Sequence, residues 1–586
     1  MTDSTQLADQ FLLQSSLKPD VSLHVSRGKS VAIVNDGQSG SYSSGIVSFD
    51  CQSALNGSQG YASLKDAYLV LPYVVSMKNT AATALLAGDY PSRYAVGMKC
   101  NVANVIDEIK VYFNGKSIVT PSEYKQLWSN VRAMAELTTA EVEKHGADMF
   151  LFPDDWETTK HSVAAGISGD GYCNNSLAGN SSLTLTAYEP TRTNSGFARR
   201  VLNNPPEVAG AADSHGWPSL KTASSQAIAQ MRGSGAFKKG TSLTQGSTLG
   251  EWFYMLKIRL VDLHPIFSEI DLVGNPQLKL ELKVQTGYSD LTLTPSATST
   301  SRVMKLDSTT LVAGSICPVM IGAASTAVSA DVMNAVIGST GCSDKLRLAW
   351  GPIHNSITPI TTSGSFFPFT QARLNLPFYD IANPTSLVSK PMKTIKYLDC
   401  YSQMFSNGEA GTGIMTTNKS FSIQVSSSHR NVKYVAVLPY ANTVNGNFAT
   451  AATTQQFASP FDSAPWSMQP GSSIRDFQVQ VGNKNVFQDV HSYDWRSFLD
   501  EFVKLGAING DLSREISNGL IGMDKWQTTQ RILVADCSRI SERDVPQSIK
   551  VSGTNVATQG SNLLVLVVYE RSLELDRITG EVYRVD

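Results

Sequence analysis

Ile109-Lys110-Val111-Tyr112-Phe113-Asn114-Gly115 opens a construction that the chain builds twice. In the first copy these residues precede a short return strand and then a helix carrying Tyr124, Leu127, Trp128 and Val131. Far downstream, Phe477-Gln478-Val479-Gln480-Val481-Gly482-Asn483 precedes a second return strand and a helix carrying Trp495, Phe498, Leu499 and Phe502. Ile109, Val111 and Phe113 alternate with Lys110 and Tyr112, as Phe477, Val479 and Val481 alternate with Gln478 and Gln480. Period-two alternation marks strands with one face in a core. Asn-Gly and Gly-Asn supply the positive φ angles of two-residue hairpins, so each strand should fold straight back.

The surroundings repeat as well. Each copy follows an apolar strand containing Leu-Pro-Tyr, at Leu71-Pro72-Tyr73 and at Leu438-Pro439-Tyr440, and the separation of the copies stays nearly constant from these strands to the helices. Thr120-Pro121-Ser122-Glu123 reads as an N-cap threonine, a proline at the first helical position and a glutamate completing a capping box, which predicts a helix over 124–137. Apolar residues at i, i+3, i+4 and i+7 put one stripe of each helix on its sheet.

A chain of 586 residues exceeds what one hydrophobic core usually serves, so two or more domains are expected. Hydrophobic residues make up 42% and charged residues only 17%, against roughly 25% in ordinary globular domains. Few charges suit a protein with large surfaces destined for burial. A net charge of −2 gives no global field favouring nucleic acid or anionic membrane. The seven cysteines, Cys51, Cys100, Cys173, Cys317, Cys342, Cys400 and Cys537, are odd in number and show no CxxC spacing. That pattern implies reduced thiols and assembly inside a cell. Residues 1–30 lack the basic and apolar regions of a signal peptide, and no run approaches the roughly 18 apolar residues of a membrane span.

Residues 1–20 read as an arm in which Leu7, Phe11, Leu12 and Leu17 form an amphipathic stripe. A first β-domain is expected over 21–288, with a polar, Gly/Ser/Thr/Asn-rich excursion at about 136–250. Residues 289–362 read as an inter-domain connection and 363–586 as a second β-domain, with Ala372–Asn375 among its strands. Many short strands with turn signals and few helices indicate an all-β chain of sandwiches or barrels. Each domain is of a size for an eight-stranded jelly roll with elaborated loops.

No catalytic, cofactor or metal site emerges. Gly233-Ser234-Gly235-Ala236-Phe237-Lys238-Lys239-Gly240 has the wrong spacing for a phosphate loop and reads as a mobile loop. The eight histidines never fall in metal-ligand spacing, which leaves His429 and His491 as surface or core polar residues. Asp170 lacks the acidic partners of a calcium loop. Ser15-Ser16-Leu17-Lys18 lacks the motifs that accompany a Ser-x-x-Lys nucleophile. Asp154-Asp155 reads as a solvated pair, and most Trp and Tyr residues fall in core patterns.

The chain resembles the double jelly-roll major capsid proteins of tailless icosahedral DNA viruses, the lineage of adenovirus hexon, virophages and polinton-like elements. The likeness is carried by Phe477–Phe502, Arg531-Ile532-Leu533-Val534-Ala535-Asp536-Cys537-Ser538-Arg539, Val545–Asn555 and Leu563–Asp576. The resemblance implies two tandem jelly rolls, each with a short helix between its F and G strands, at Tyr124–Leu137 and Trp495–Val503. It also implies a homotrimer with a six-fold-like outline, contacts to neighbouring capsomers and to minor capsid or penton proteins, and no enzymatic activity. Outer towers would come from 136–250 and contacts to neighbours or internal components from 1–20. That arm holds Asp3, Asp9 and Asp20 beside Lys18, unlike the Arg-rich arms that neutralise a genome. Direct nucleic-acid binding by it is not expected, which leaves that role to another component or a membrane. The alternatives are a two-jelly-roll hydrolase of the peptide-N-glycosidase type and a carbohydrate-binding or adhesive sandwich.

Overall fold

The computed structural model describes residues 25–37, 42, 44–54, 60–80, 94–154, 182–184, 195–200, 235–239, 245–270, 272–275, 277–295, 302–311, 316–323, 344–352, 371–405, 419–441, 458, 460, 474–488, 493–508, 519–528, 530–542, 544–556 and 561–585. The 1–20 arm and most of the 136–250 excursion lie outside them.

The first module contains β1 (Ser26–Asn35), β2 (Ile46–Asp50), β3 (Tyr68–Asn79), β4 (Ile106–Phe113), β5 (Lys116–Ser117), β6 (Thr248–Arg259), β7 (Leu278–Val284), β8 (Gly287–Pro295), β9 (Arg302–Leu311), β10 (Asp344–Pro352) and β11 (Arg373–Ile381). One sheet runs β1-β11-β3-β6 and the other β2-β7-β4-β5. The strands β8, β9 and β10 extend the first sheet, with β10 continuing along Tyr73–Asn79 of β3 where β11 leaves off.

The second module contains β12 (Met392–Phe405), β13 (Lys419–His429), β14 (Val432–Ala441), β15 (Ile474–Val481), β16 (Lys484–Asn485), β17 (Leu533–Asp536), β18 (Gln547–Asn555), β19 (Ser561–Asp576) and β20 (Val582–Val585). Its sheets run β12-β19-β14-β17 and β13-β18-β15-β16, with β20 paired to β19. If β8–β10 and β20 are set aside as additions and the remaining strands of each module are counted one to eight, both modules read 1-8-3-6 and 2-7-4-5. This is the antiparallel double Greek key of a jelly roll. The fold is therefore a double jelly roll, and the repeat seen in the sequence is a repeat of topology.

The domain boundary differs from the sequence expectation. Arg373–Ile381 is not the start of the second module; it lies between β1 and β3 as the eighth strand of the first. Residues within 289–362 form β8–β10 and belong to the first module's sheet instead of a connection. A short apolar strand such as Leu374-Asn375-Leu376 fits either core, and only long-range pairing decides between them.

The hairpins form as their residues require. Asn114 and Gly115 adopt φ of 47° and 74°, the pattern of a type I′ turn, while Gly482 alone takes positive φ (59°) in the second copy, as in type II′. The helices α1 (Leu127–Glu136) and α3 (Trp495–Ile508) both lie between the fifth and sixth strands of their modules. The expected cap at Thr120 does not form. The first helix starts at Leu127 without a side-chain cap, and Tyr124 sits at φ 57°.

The capping box instead opens α2 (Thr139–Met149), where Thr138 Oγ1 accepts from the Glu141 amide at 3.2 Å and Glu141 accepts from the Thr138 amide at 2.8 Å. This helix and the buried Phe150 and Leu151 after it pack on the first module, so the excursion starts as core and not as a polar loop. Gly235–Lys239, expected in a mobile loop, is a strand paired to the edge of β6.

Apolar stripes fasten both helices. In α3, Phe498 is fully buried and stacks on Phe502 at 4.7 Å and on Trp526 at 5.3 Å. Leu499, expected in the same stripe, is 40% exposed. Phe498→Ala should therefore cost about 3–5 kcal/mol in urea unfolding, and Leu499→Ala less than about 1 kcal/mol. Equal losses would contradict this packing.

Candidate functional site

The two modules meet across a polar, buried seam. The first contributes the segment after β5 (118–126), α1, and the short helices Leu260–Leu263 and Ile266–Glu269 that follow β6. These cover the outer face of β12, β19 and β14. Thr120 and Ser122 are drawn to this seam, which explains why they do not cap a helix. The Thr120 amide donates to Asp399 Oδ2 at 3.1 Å, and the Ser122 and Ser402 hydroxyls are 3.0 Å apart. Tyr397 OH donates to the Ile118 carbonyl at 2.6 Å, and Trp128 Nε1 donates to Tyr434 OH at 2.8 Å.

Asp399 is the hub. It is fully buried on β12 and pairs with the ammonium of Lys125, which is only 2% exposed. Arg571 Nη1 donates to its Oδ2 at 3.3 Å. His264 Nδ1 accepts from the Ile266 amide at 3.2 Å, so the ring proton sits on Nε2 and donates to Asp399 Oδ1 at 3.3 Å. Burial raises the Asp399 pKa, but the Lys125 ammonium and the His264 hydrogen bond outweigh it and hold the carboxyl well below its usual range. Burial lowers the His264 pKa to about 4 against the pull of Asp399, so the imidazole is neutral at pH 7. One carboxylate thus serves two cations and three neutral donors, His264 and the amides of Thr120 and Cys400.

A second contact joins the modules at the turns. The Gly274 amide donates to the Arg577 carbonyl at 2.7 Å. Gly580 lies at φ 74°, where a Cβ would come within 2.5 Å of the Asn275 carbonyl oxygen. Glycine permits this backbone approach.

The face that the second module has covered is exposed in the first only along β1; Val74 and Ser76 on β3 and Asn375 on β11 are buried. Among the described residues β1 pairs only with β11 and is an edge strand. Its outer face carries Val31 (47% exposed) and Ile33 (53%), opposite Pro377 and Asn375, with Arg27 and Lys29 exposed on the same strand. Conversely, the second module's counterparts of the covering elements keep solvent-facing residues, although the Gly519 and Leu520 amides beyond α3 donate to the Leu137 and Met134 carbonyls at the end of α1 at 3.1 and 2.9 Å. Leu499 on α3 and Val545 after β17 are exposed, as are Asp494, Asp500, Glu542 and Asp544 alongside Arg496 and Arg539. One open face is basic and apolar, and the other is mainly acidic and apolar.

The residues singled out in the sequence do not converge. His429 stacks on Tyr569 at 4.3 Å. Asp154 is not solvated; it is fully buried against Arg200, which also donates to the Met98 carbonyl at 2.9 Å. Cys51, Cys100, Cys317, Cys400 and Cys537 are buried free thiols. Trp128, Trp252 and Trp350 are core. Asp155, Asp170, His491 and Ser15–Lys18 lie outside the described residues. Among the described residues no group of three or more His, Cys, Asp or Glu is placed to hold a metal ion. The hub itself went unnoticed, because Lys125 and Asp399 are 274 residues apart; the signal was a lone aspartate inside the apolar run Tyr397-Leu398-Asp399-Cys400-Tyr401.

No protein-family model matches the chain, and no curated protein does. Among solved structures it is similar to that of the Sputnik virophage, at 11% identity and a TM-score of 0.48, covering 97% of this chain and 90% of that chain. It is similar to the mavirus major capsid protein at 12% identity and a TM-score of 0.34, covering 97% and 93%. It is also similar to the Faustovirus major capsid protein at 9% identity and a TM-score of 0.39, covering 96% of each chain.

Removing one member of a buried pair strands the other. Asp399→Asn should destabilise the protein by about 3–5 kcal/mol in urea melts, and Lys125→Met combined with it should recover part of that loss. A double variant no better than the single one would refute the coupling.

Proposed function

We propose that the protein is a major capsid protein whose homotrimer forms a capsomer of six-fold-like outline in an icosahedral virion. The observation that carries this reading is the repeated module with one seam filled and exposed apolar residues, Val31 and Ile33 on one counterpart surface and Leu499 and Val545 on the other. A heterologous contact leaves one unfilled donor face and one unfilled acceptor face per chain, and it closes into a ring when the rotation permits. Three chains supply six modules in alternation. The charge difference between the open faces favours this docking over self-contact of like faces. The resemblance of Phe477–Phe502 and Leu563–Asp576 to double jelly-roll capsid proteins supports the same assignment.

In this reading the partners are further copies of the chain, then neighbouring capsomers and minor capsid or penton proteins, and the working location is the virion. The role is structural and not catalytic. The excursion beyond Phe152 would rise as an outer tower and clasp, and the 1–20 arm would reach adjacent or internal components.

Light scattering coupled to size-exclusion chromatography tests the assembly. The expected mass is about three times the 63.3 kDa of one chain. Val31→Asp combined with Ile33→Asp should yield folded monomers, because both side chains are already half exposed and contribute little to the isolated fold. A wild-type monomer, or a trimer indifferent to this double variant, would count against the proposed ring.

A further inference from the structure

The inter-module seam holds a titratable group in a setting that neutral pH favours. His264 is fully buried and donates to a carboxylate already matched by Lys125 and Arg571. The groups facing it come from every element packed there: Asp399 and Tyr397 from β12, Lys125 from the segment before α1, Arg132 from α1, and Arg571 from β19. Trp128 meets the ring edge-on at 5.7 Å. A protonated His264 would place a further cation beside Lys125 and Arg571 with the same single buried carboxylate to balance them, while Arg132, which also faces the ring, is paired with Glu136 at 3.4 Å. Its Nδ1, which accepts from the Ile266 amide, would become a donor facing a donor. Water reaches the ring only if the seam opens.

We infer that the Asp399–Lys125–His264 cluster is an acid-sensitive latch: proton uptake at His264 parts the two modules along this seam while each sandwich stays folded. The sandwiches have the means to stay closed, since their own cores at Leu280, Leu282, Ile549 and Val551 are buried apolar strands remote from the hub. The inference does not rest on the capsid assignment and would hold for an isolated chain.

The sign follows from linkage. The imidazole is held near 4 in the closed seam and returns toward its ordinary 6.5 when solvated. Closure is therefore fully favoured above pH 6.5 and weakens as pH falls from 6.5 toward 4. Protonation of Asp399 would weaken it further below that window. His429, also lowered by burial, pulls in the same direction from the far side of Asp399 and needs its own control.

Hydrogen exchange read by mass spectrometry on the full chain, corrected for intrinsic rates, tests this at pH 7.5 and pH 5.0. Peptides spanning 118–126 and 397–402 should open about 30-fold more at pH 5.0, while those spanning 279–284 and 549–552 stay protected. Closure should return when the pH is restored. His264→Gln should abolish the response, and His429→Gln should retain most of it. If His264→Gln does not fold, the wild-type titration decides, since seam opening must rise by up to tenfold per pH unit below 6.5 with flat core protection. Core and seam opening together, a seam unchanged at pH 5.0, or a wild-type response in His264→Gln would each overturn the latch.

Discussion

A carboxylate sealed between two β-sandwiches is tolerated only when charge and hydrogen bonds compensate it from both sides. Asp399 meets that condition through Lys125, His264 and the Thr120 amide from the first module and Arg571 from its own. The requirement sets the relative placement of the modules, because the donors come from three separate stretches of chain. Apolar packing alone would allow the sandwiches to slide, whereas a hub with directional partners selects one seating. Local structure yields to it: the residues 120–126 forgo an N-capped helix start in order to reach across the seam.

Two copies of one topology have been given different surfaces. The outer face of β12 bears Tyr397 and Asp399 and is covered within the chain. The matching face of β1 bears Val31 and Ile33 and is not. An exposed apolar edge strand invites pairing with anything extended, and Arg27 and Lys29 beside it restrict which partners are tolerated. The difference between the copies is what allows one contact to be permanent and its counterpart to wait for another chain.

Local signals were legible in the sequence and distant ones were not. The alternation around Ile109 and Phe477, the turns at Asn114-Gly115 and Gly482, and the stripes through Trp128 and Phe498 each depend on neighbours a few residues away, and each formed. Thr138-Thr139-Ala140-Glu141 carried a capping box as plain as the one read at Thr120, yet the polar composition of the excursion masked it. Ala372–Asn375 reads as a strand, but the membership of the strand that forms, Arg373–Ile381, depends on Val31 and Leu69, hundreds of residues earlier. The hub was invisible for the same reason. A buried ion pair has no periodicity, and nothing close in the chain announces that a lysine and an aspartate will meet.

The eighth strand of the first module has a consequence for biosynthesis. β11 must insert between β1 and β3, so the N-terminal sandwich cannot close its sheet until residue 381 has left the ribosome. Until then β1 has no described partner and β3 is exposed along Tyr68–Val70, so the nascent chain carries an unfinished edge through most of its synthesis. The second sandwich repeats the constraint over a shorter stretch of chain, because its eighth strand β19 must insert between β12 and β14. The first sandwich can therefore complete its sheet before the second has all its strands, and the two halves mature in the order of the chain.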